Sequence, residues 1–352
     1  MQEKAENKRE RVIYFDILNI IAIIAVIALH CNSIVHGTPN VRAWTSSLIV
    51  ECIFYFAVPL FCMLSGATLM NYREKYNTKT FFKKRLLKVA IPFLFWAIIM
   101  FVWKIHIHWL DVKQFTNITD WINAFFSNKE ESTYYFIFII LGIYLTMPLL
   151  SLVAKKENHK TLWFTVLLFF IFNAFLPNIL NLLKIQYNNN LSVQIGNYII
   201  FVILGYLLST DNIDKKYRVL IYIGAIIGLI YRFSTTFILS RQAGDVVDIT
   251  WGYTSWHAIL LTCAVFISVK NLNLEKKLKN KTRTKTIIMK IASCSFGIYL
   301  IHKIIMYYEQ TFFSVNILSW QWRTIGVITT YLICLVIIYI LKKVPILKKL
   351  VP

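Results

Sequence analysis

Apolar runs long enough to cross a bilayer recur along almost the whole chain, and no other feature restricts its fold as strongly. A hydrocarbon core of about 30 Å takes roughly 20 apolar residues per helical span. Ten such runs are legible, at about 12–35, 45–70, 88–108, 134–153, 161–181, 193–209, 218–239, 253–270, 287–308 and 322–342. In lipid every backbone N–H and C=O must be satisfied within the segment, so runs of this kind are helices. The expected fold is all-α: a polytopic membrane protein with about ten transmembrane helices. It forms a single membrane-embedded domain over 1–352, with short tails at 1–11 and 343–352. The first run follows Lys4, Lys8, Arg9 and Arg11 and lacks a small-residue cleavage site, so it reads as a retained helix.

Composition matters here for one question, the meaning of a net charge of +21. A nucleic-acid binder would gather its charge on one soluble face. Here Lys and Arg crowd into alternate connections, starting with the N-terminal tail, and are sparse in the others. That is the positive-inside asymmetry; it places both termini in the cytoplasm, in agreement with an even number of spans. Nucleic acid is not an expected partner. The six cysteines show neither CxxC nor Cys/His ligand spacing, so neither a disulfide framework nor a metal site is expected.

Ionisable residues inside spans are costly in lipid and face a cavity or a partner. The first run holds Asp16, Asn19 and His30, the second Glu51, the seventh Arg232, the eighth His257 and the ninth His302 and Lys303. Asn19 and His30 stand eleven residues apart. At about 100° per residue that returns to nearly the same helix face, roughly 16 Å further along. The two define a polar stripe suited to a cavity through most of the membrane. Glu51 begins the descending helix at a similar depth, where a carboxylate could orient the His30 imidazole and raise its basicity. The bland alternative for each is a satisfied interhelical hydrogen bond. Arg85 and Lys88, three apart where the third helix meets the bilayer, share a face. Ordinary positive-inside anchoring and a clamp for a phosphorylated cytosolic ligand both account for them.

The order of several segments resembles the acyltransferase family 3 membrane proteins, which O-acetylate bacterial surface glycans. These segments are the stripe ending in His30, VPLFCMLSG (58–66), KRLLKVAIPFLFW (84–96), YYFIFIILGIYLTMPLL (134–150), FVILGYLL (201–208) and SFGIYLIH (295–302). The stretch DITWGYTSWHAILLTCAVFISVKN (248–271) is similar to the branch that acetylates enterobacterial common antigen.

The resemblance implies a multi-pass enzyme of the bacterial cytoplasmic membrane. It would take acetyl-CoA or a related short acyl-CoA as donor and a surface or lipid-linked polysaccharide as acceptor. His30 matches the family's essential histidine. The arginine that precedes it by eleven positions in the family is Asn19 here, so a neighbouring cation such as Arg11 or Arg85 must supply that charge, or donor handling or activity has changed. Arg85 and Lys88 match the basic pair at the inner face, Ser65 and Gly66 the Ser-Gly turn, and Tyr299 and His302 a late Tyr-x-x-His pattern.

These assignments make His30 and Glu51 the expected catalytic residues. Asn19, Ser65, Arg85 and Lys88 are the expected donor-binding residues, and Tyr299 and His302 the expected acceptor-side residues. A ten-helix transporter using His30 and Glu51 as a proton relay, and a catalytically silent scaffold of a glycan-assembly complex, are the rival readings. A homo-oligomer is compatible with all three.

Overall fold

A computed structural model describes residues 11–39, 41–129 and 131–352; Lys4, Lys8 and Arg9 of the basic tail lie outside the described residues. Sixteen α-helices follow one another, and the described residues contain no strand. In chain order they are α1 (Ile13–His30), α2 (Arg42–Phe54), α3 (Ala57–Leu69), α4 (Thr78–Arg85), α5 (Ile91–His106), α6 (Ile118–Phe126), α7 (Tyr135–Val153) and α8 (His159–Phe169). Then come α9 (Leu176–Leu182), α10 (Ile199–Thr210), α11 (Lys215–Ala243), α12 (Trp256–Lys270), α13 (Leu274–Lys277), α14 (Thr282–Ser293), α15 (Ser295–Phe312) and α16 (Val327–Leu341).

The ten expected spans are realised unevenly. Eight stretches are continuous, long and apolar enough to cross a bilayer, several made of two helices end to end, such as Arg42–Glu74 and Thr78–His106. The ninth run is not one straight helix: α14 and α15 meet at a 53° bend. The run at 193–209 yields only α10, twelve residues long. At 1.5 Å per residue that is about 18 Å, short of a bilayer core.

Protein, not lipid, surrounds α10: every residue from Ile199 to Leu208 is buried. The non-helical approach at 193–198 is only partly covered, and its Val193 amide and carbonyl pair with the Asn173 side chain. The packing partner is α3, and the contact is backbone on backbone. A Cβ on Gly66 would stand 1.9 Å from the Val202 carbonyl oxygen, and one on Gly205 1.9 Å from that of Met63. Small residues permit this approach where no hydrophobic force draws helices together. The resulting α3–α10 pair forms one wall of the core, with α1 packed against α3 and α15 packed against α1.

The chain beyond α16 also folds onto the bundle. The Trp96 indole N–H donates to the Leu350 carbonyl at 3.0 Å, and Val351 is buried. The tail expected at 343–352 is thus tethered to the bundle at its end, while most of its residues stay exposed.

Candidate active site

His30 ends α1 and His302 lies mid-way along α15. Their rings stack, with centroids 5.1 Å apart and planes 28° from parallel. His302 is fully buried, and its Nδ1 sits 2.7 Å from the Tyr299 carbonyl oxygen. A carbonyl can only accept, so Nδ1 carries the proton and the neutral ring presents its lone pair at Nε2. That Nε2 is buried without a hydrogen-bond partner. His30 is less enclosed and makes no hydrogen bond to another described residue.

A groove leads toward this pair from the lysine- and arginine-rich face. Its deep part, about 280 Å³, is lined by residues including Arg11, Asn19, Ser65, Tyr144 and Tyr299. Its outer part, about 540 Å³, shares Arg11, Asn19, Phe61, Ser65 and Tyr144 and adds Asp16 and Arg85. The deep end stops at Tyr299, one helical turn before His302. The groove therefore runs from Arg85 to Tyr299, and neither His30 nor His302 is among the residues that line it.

Asn19 fixes the groove's geometry more than its charge: its amide donates to the Ala292 carbonyl at 3.2 Å, bridging α1 to the end of α14. Two cations stand beside it. Arg11 is held by Asp16 through contacts of 2.9 Å at Nε and 2.5 Å at its terminal nitrogen, a two-pronged carboxylate pairing. Arg85 stacks near the Phe81 and Tyr144 rings, its Cζ 5.8 and 5.5 Å from their centroids. Its Nε is buried without a hydrogen-bond partner. Ser65 spends its hydroxyl on the Phe61 carbonyl, 3.1 Å away, one turn back on α3.

Two expected pairings do not form. Residues 86–90 make a π-helical turn between α4 and α5. Such a turn holds more residues than an α-turn, so side chains three apart fan out instead of lining up. Arg85 consequently enters the groove, while Lys88 lines a separate cavity with four lysines of the 342–349 stretch.

Glu51, expected beside His30, instead faces Arg232 of α11 across 3.7 Å, and both are buried. The guanidinium also lies 3.3 Å from the centroid of the Tyr55 ring. No described interaction joins Glu51 to His30. His257 sits under Gly228 of α11, where an added Cβ would stand 2.7 Å from its own Cβ, a packing position.

The acid that does approach the histidine pair is Glu131, before α7. Its carboxylate accepts from the Thr133 amide at 3.1 Å and pairs with Lys104 at 3.5 Å. The Tyr299 hydroxyl donates to the Thr133 carbonyl, joining this corner to the groove floor. Burial pushes the Glu131 carboxyl up, but Lys104, Lys303 and the Thr133 N–H outweigh it and hold it below the usual carboxylate value. The sequence offered only an acidic loop at this point, with Glu131 beside Asp111, Asp120 and Glu130. Nothing in its spacing singles out Glu131, and Glu130 lies outside the described residues.

The described residues thus form an all-helical bundle with a stacked histidine pair one helical turn beyond the deep end of an arginine-bearing groove. The profile of the acyltransferase 3 family, described as an acyltransferase domain, matches residues 12–339, and the chain belongs to that family. No curated protein and no solved structure matches the chain.

Proposed function

We propose that the protein transfers an acetyl or similarly short acyl group from cytosolic acyl-CoA to a hydroxyl of a surface or lipid-linked glycan. The observation that carries this reading is the stacked His30–His302 pair one helical turn beyond Tyr299, which lines the deep end of the groove that holds Arg11 and Arg85. Arg11 and Arg85 beside the outer part of the groove suit phosphate, and the groove beyond them offers a pantetheine arm a largely apolar and aromatic lining. Both termini and the arginine-bearing mouth then face the cytoplasm, consistent with the distribution of basic residues.

His30 has two workable roles. As general base it takes the proton of the acceptor hydroxyl while that oxygen attacks the thioester carbonyl; the departing thiolate recovers the proton from the imidazolium. As transient carrier its nitrogen attacks the thioester, CoA leaves as the thiol, and an acyl-imidazole remains for the acceptor oxygen to attack. The second route needs another base for the acceptor proton. His302 has Nε2 set for that purpose, since its other nitrogen is committed to the Tyr299 carbonyl.

The test is transfer of labelled acetyl from acetyl-CoA by purified protein, together with surface-glycan O-acetyl content in cells carrying wild-type or His30→Ala protein. Thioester cleavage and glycan acetylation should both disappear in the variant while its thermal unfolding is unchanged. Retained acetylation in a folded variant refutes the assignment.

A further inference from the structure

The cavity that takes Lys88 has about 650 Å³ and is lined by five lysines, Lys88, Lys342, Lys343, Lys348 and Lys349, with Pro345, Val351 and Pro352. No acidic side chain lines it, and none of the five lysine side chains joins an ion pair with another described residue. Ordinary anchoring lysines splay outward toward headgroups. These converge because the segment after α16 turns back and is pinned by the Trp96–Leu350 hydrogen bond and the burial of Val351.

Gathering five lysines around one space, with Lys343 drawn over the Tyr339 ring and the others mostly solvent-facing, raises the local positive potential and favours an anion. Burial above all holds the Lys342 ammonium below the usual lysine value; Cys294 opposes this, Arg11, Lys348 and Lys88 add to it, and the ammonium donates to the Ser293 carbonyl at 2.6 Å. The size lies within the range of small-molecule sites, about 300–1,000 Å³. Pro352 also lines the deep groove, so the two spaces adjoin.

We propose that this lysine cavity binds a multiply phosphorylated anion. Adjacent to the groove, it suits the adenosine phosphates of the acyl donor; at the membrane surface, the same chemistry is offered by anionic lipid headgroups. The placement of the donor's nucleotide end rests on the function proposed above. The phosphate site itself does not.

The test measures binding, so it can be read whether or not acyl transfer occurs. Wild-type protein, a K343Q/K348Q/K349Q variant and a K343R/K348R/K349R variant are titrated with adenosine 3′,5′-bisphosphate in uncharged detergent. In a second arm their thermal unfolding is compared in nanodiscs of phosphatidylcholine with and without phosphatidylglycerol. Several exposed charge contacts at once should weaken nucleotide binding roughly tenfold in the glutamine variant and spare the arginine variant.

A charge-dependent loss confined to the nanodisc arm supports the site and identifies lipid as its source. Equal behaviour of wild type and the glutamine variant in both arms overturns the site. So does equal loss in the glutamine and arginine variants, which would mean shape and not charge. Absence of thioester cleavage by wild-type protein that still binds the bisphosphate would refute the proposed function and leave the site standing.

Discussion

The His30 and His302 rings lie face to face, yet only His302 is fixed by a hydrogen bond, to the Tyr299 carbonyl. One imidazole is therefore set in tautomer and orientation, and its neighbour is not. The pair predicts unequal effects. His30→Ala should remove transfer to background, a loss of at least 10²–10⁴-fold for a positioned proton acceptor. If His30 carries the acyl group, His302→Phe should slow the acceptor step more than CoA release. Rapid-quench measurement of labelled acyl on the protein checks this: label should accumulate in the His302 variant and be absent from the His30 variant.

The Arg232–Glu51 pair bears on stability rather than on the histidines. Removing one partner of a buried ion pair costs about 3–5 kcal/mol, because the other charge stays buried alone. Glu51→Leu should accordingly lower the unfolding temperature, and the double variant Glu51→Leu/Arg232→Met should recover most of the loss. Full acyl-transfer activity in the recovered double variant would confine the pair to a structural role; a dead but stable double variant would restore Glu51 to the chemistry.

Gly66 and Gly205 allow α3 and α10 to touch along their backbones. An alanine at either position drives its Cβ into a carbonyl oxygen 1.9 Å away. Overpacking of this kind costs about 1–3 kcal/mol, and neither neighbour here is a flexible side chain that could yield. Gly66→Ala and Gly205→Ala should each unfold at lower temperature in detergent, whereas Gly142→Ala, with open space around its Cβ position, should not.

Glu131 makes stability depend on acid. Its carboxyl is held below the ordinary value of 4.5 in the folded protein. A depressed folded value contributes stability that is present above the unfolded value and is lost as pH falls through the folded one. Wild-type protein should therefore lose unfolding temperature below about pH 4.5 more steeply than Glu131→Gln. Parallel pH profiles would show that the carboxylate contributes nothing.

The apolar runs made the helical class and most spans legible, because a bilayer enforces its length rule on every segment. The stripe from Asn19 to His30 was equally plain, since both lie on one unbroken helix. The misreadings fall where local regularity fails. A π-turn after Arg85 separated it from Lys88, and three-residue spacing cannot announce such a turn. The bend between Ser293 and Ser295 divided a run that hydropathy showed as continuous. Glu51 found its partner in Arg232, 181 positions later in the chain, and sequence depth alone could not choose between that cation and His30. Glu131 was hidden for the same reason: its significance comes from Lys104, Lys303 and Tyr299, residues brought in by two other helices, α5 and α15.

The glycine-locked wall has a consequence for motion. Because α3 and α10 meet main chain to main chain, the side of the groove bearing Ser65 has no slack to breathe. The opposite side, which carries Tyr299 and His302, starts immediately after the 53° bend. A widening of the groove would then fall on the arm beyond this elbow, and a swing there would carry Tyr299 and the His302 imidazole together in a single stroke.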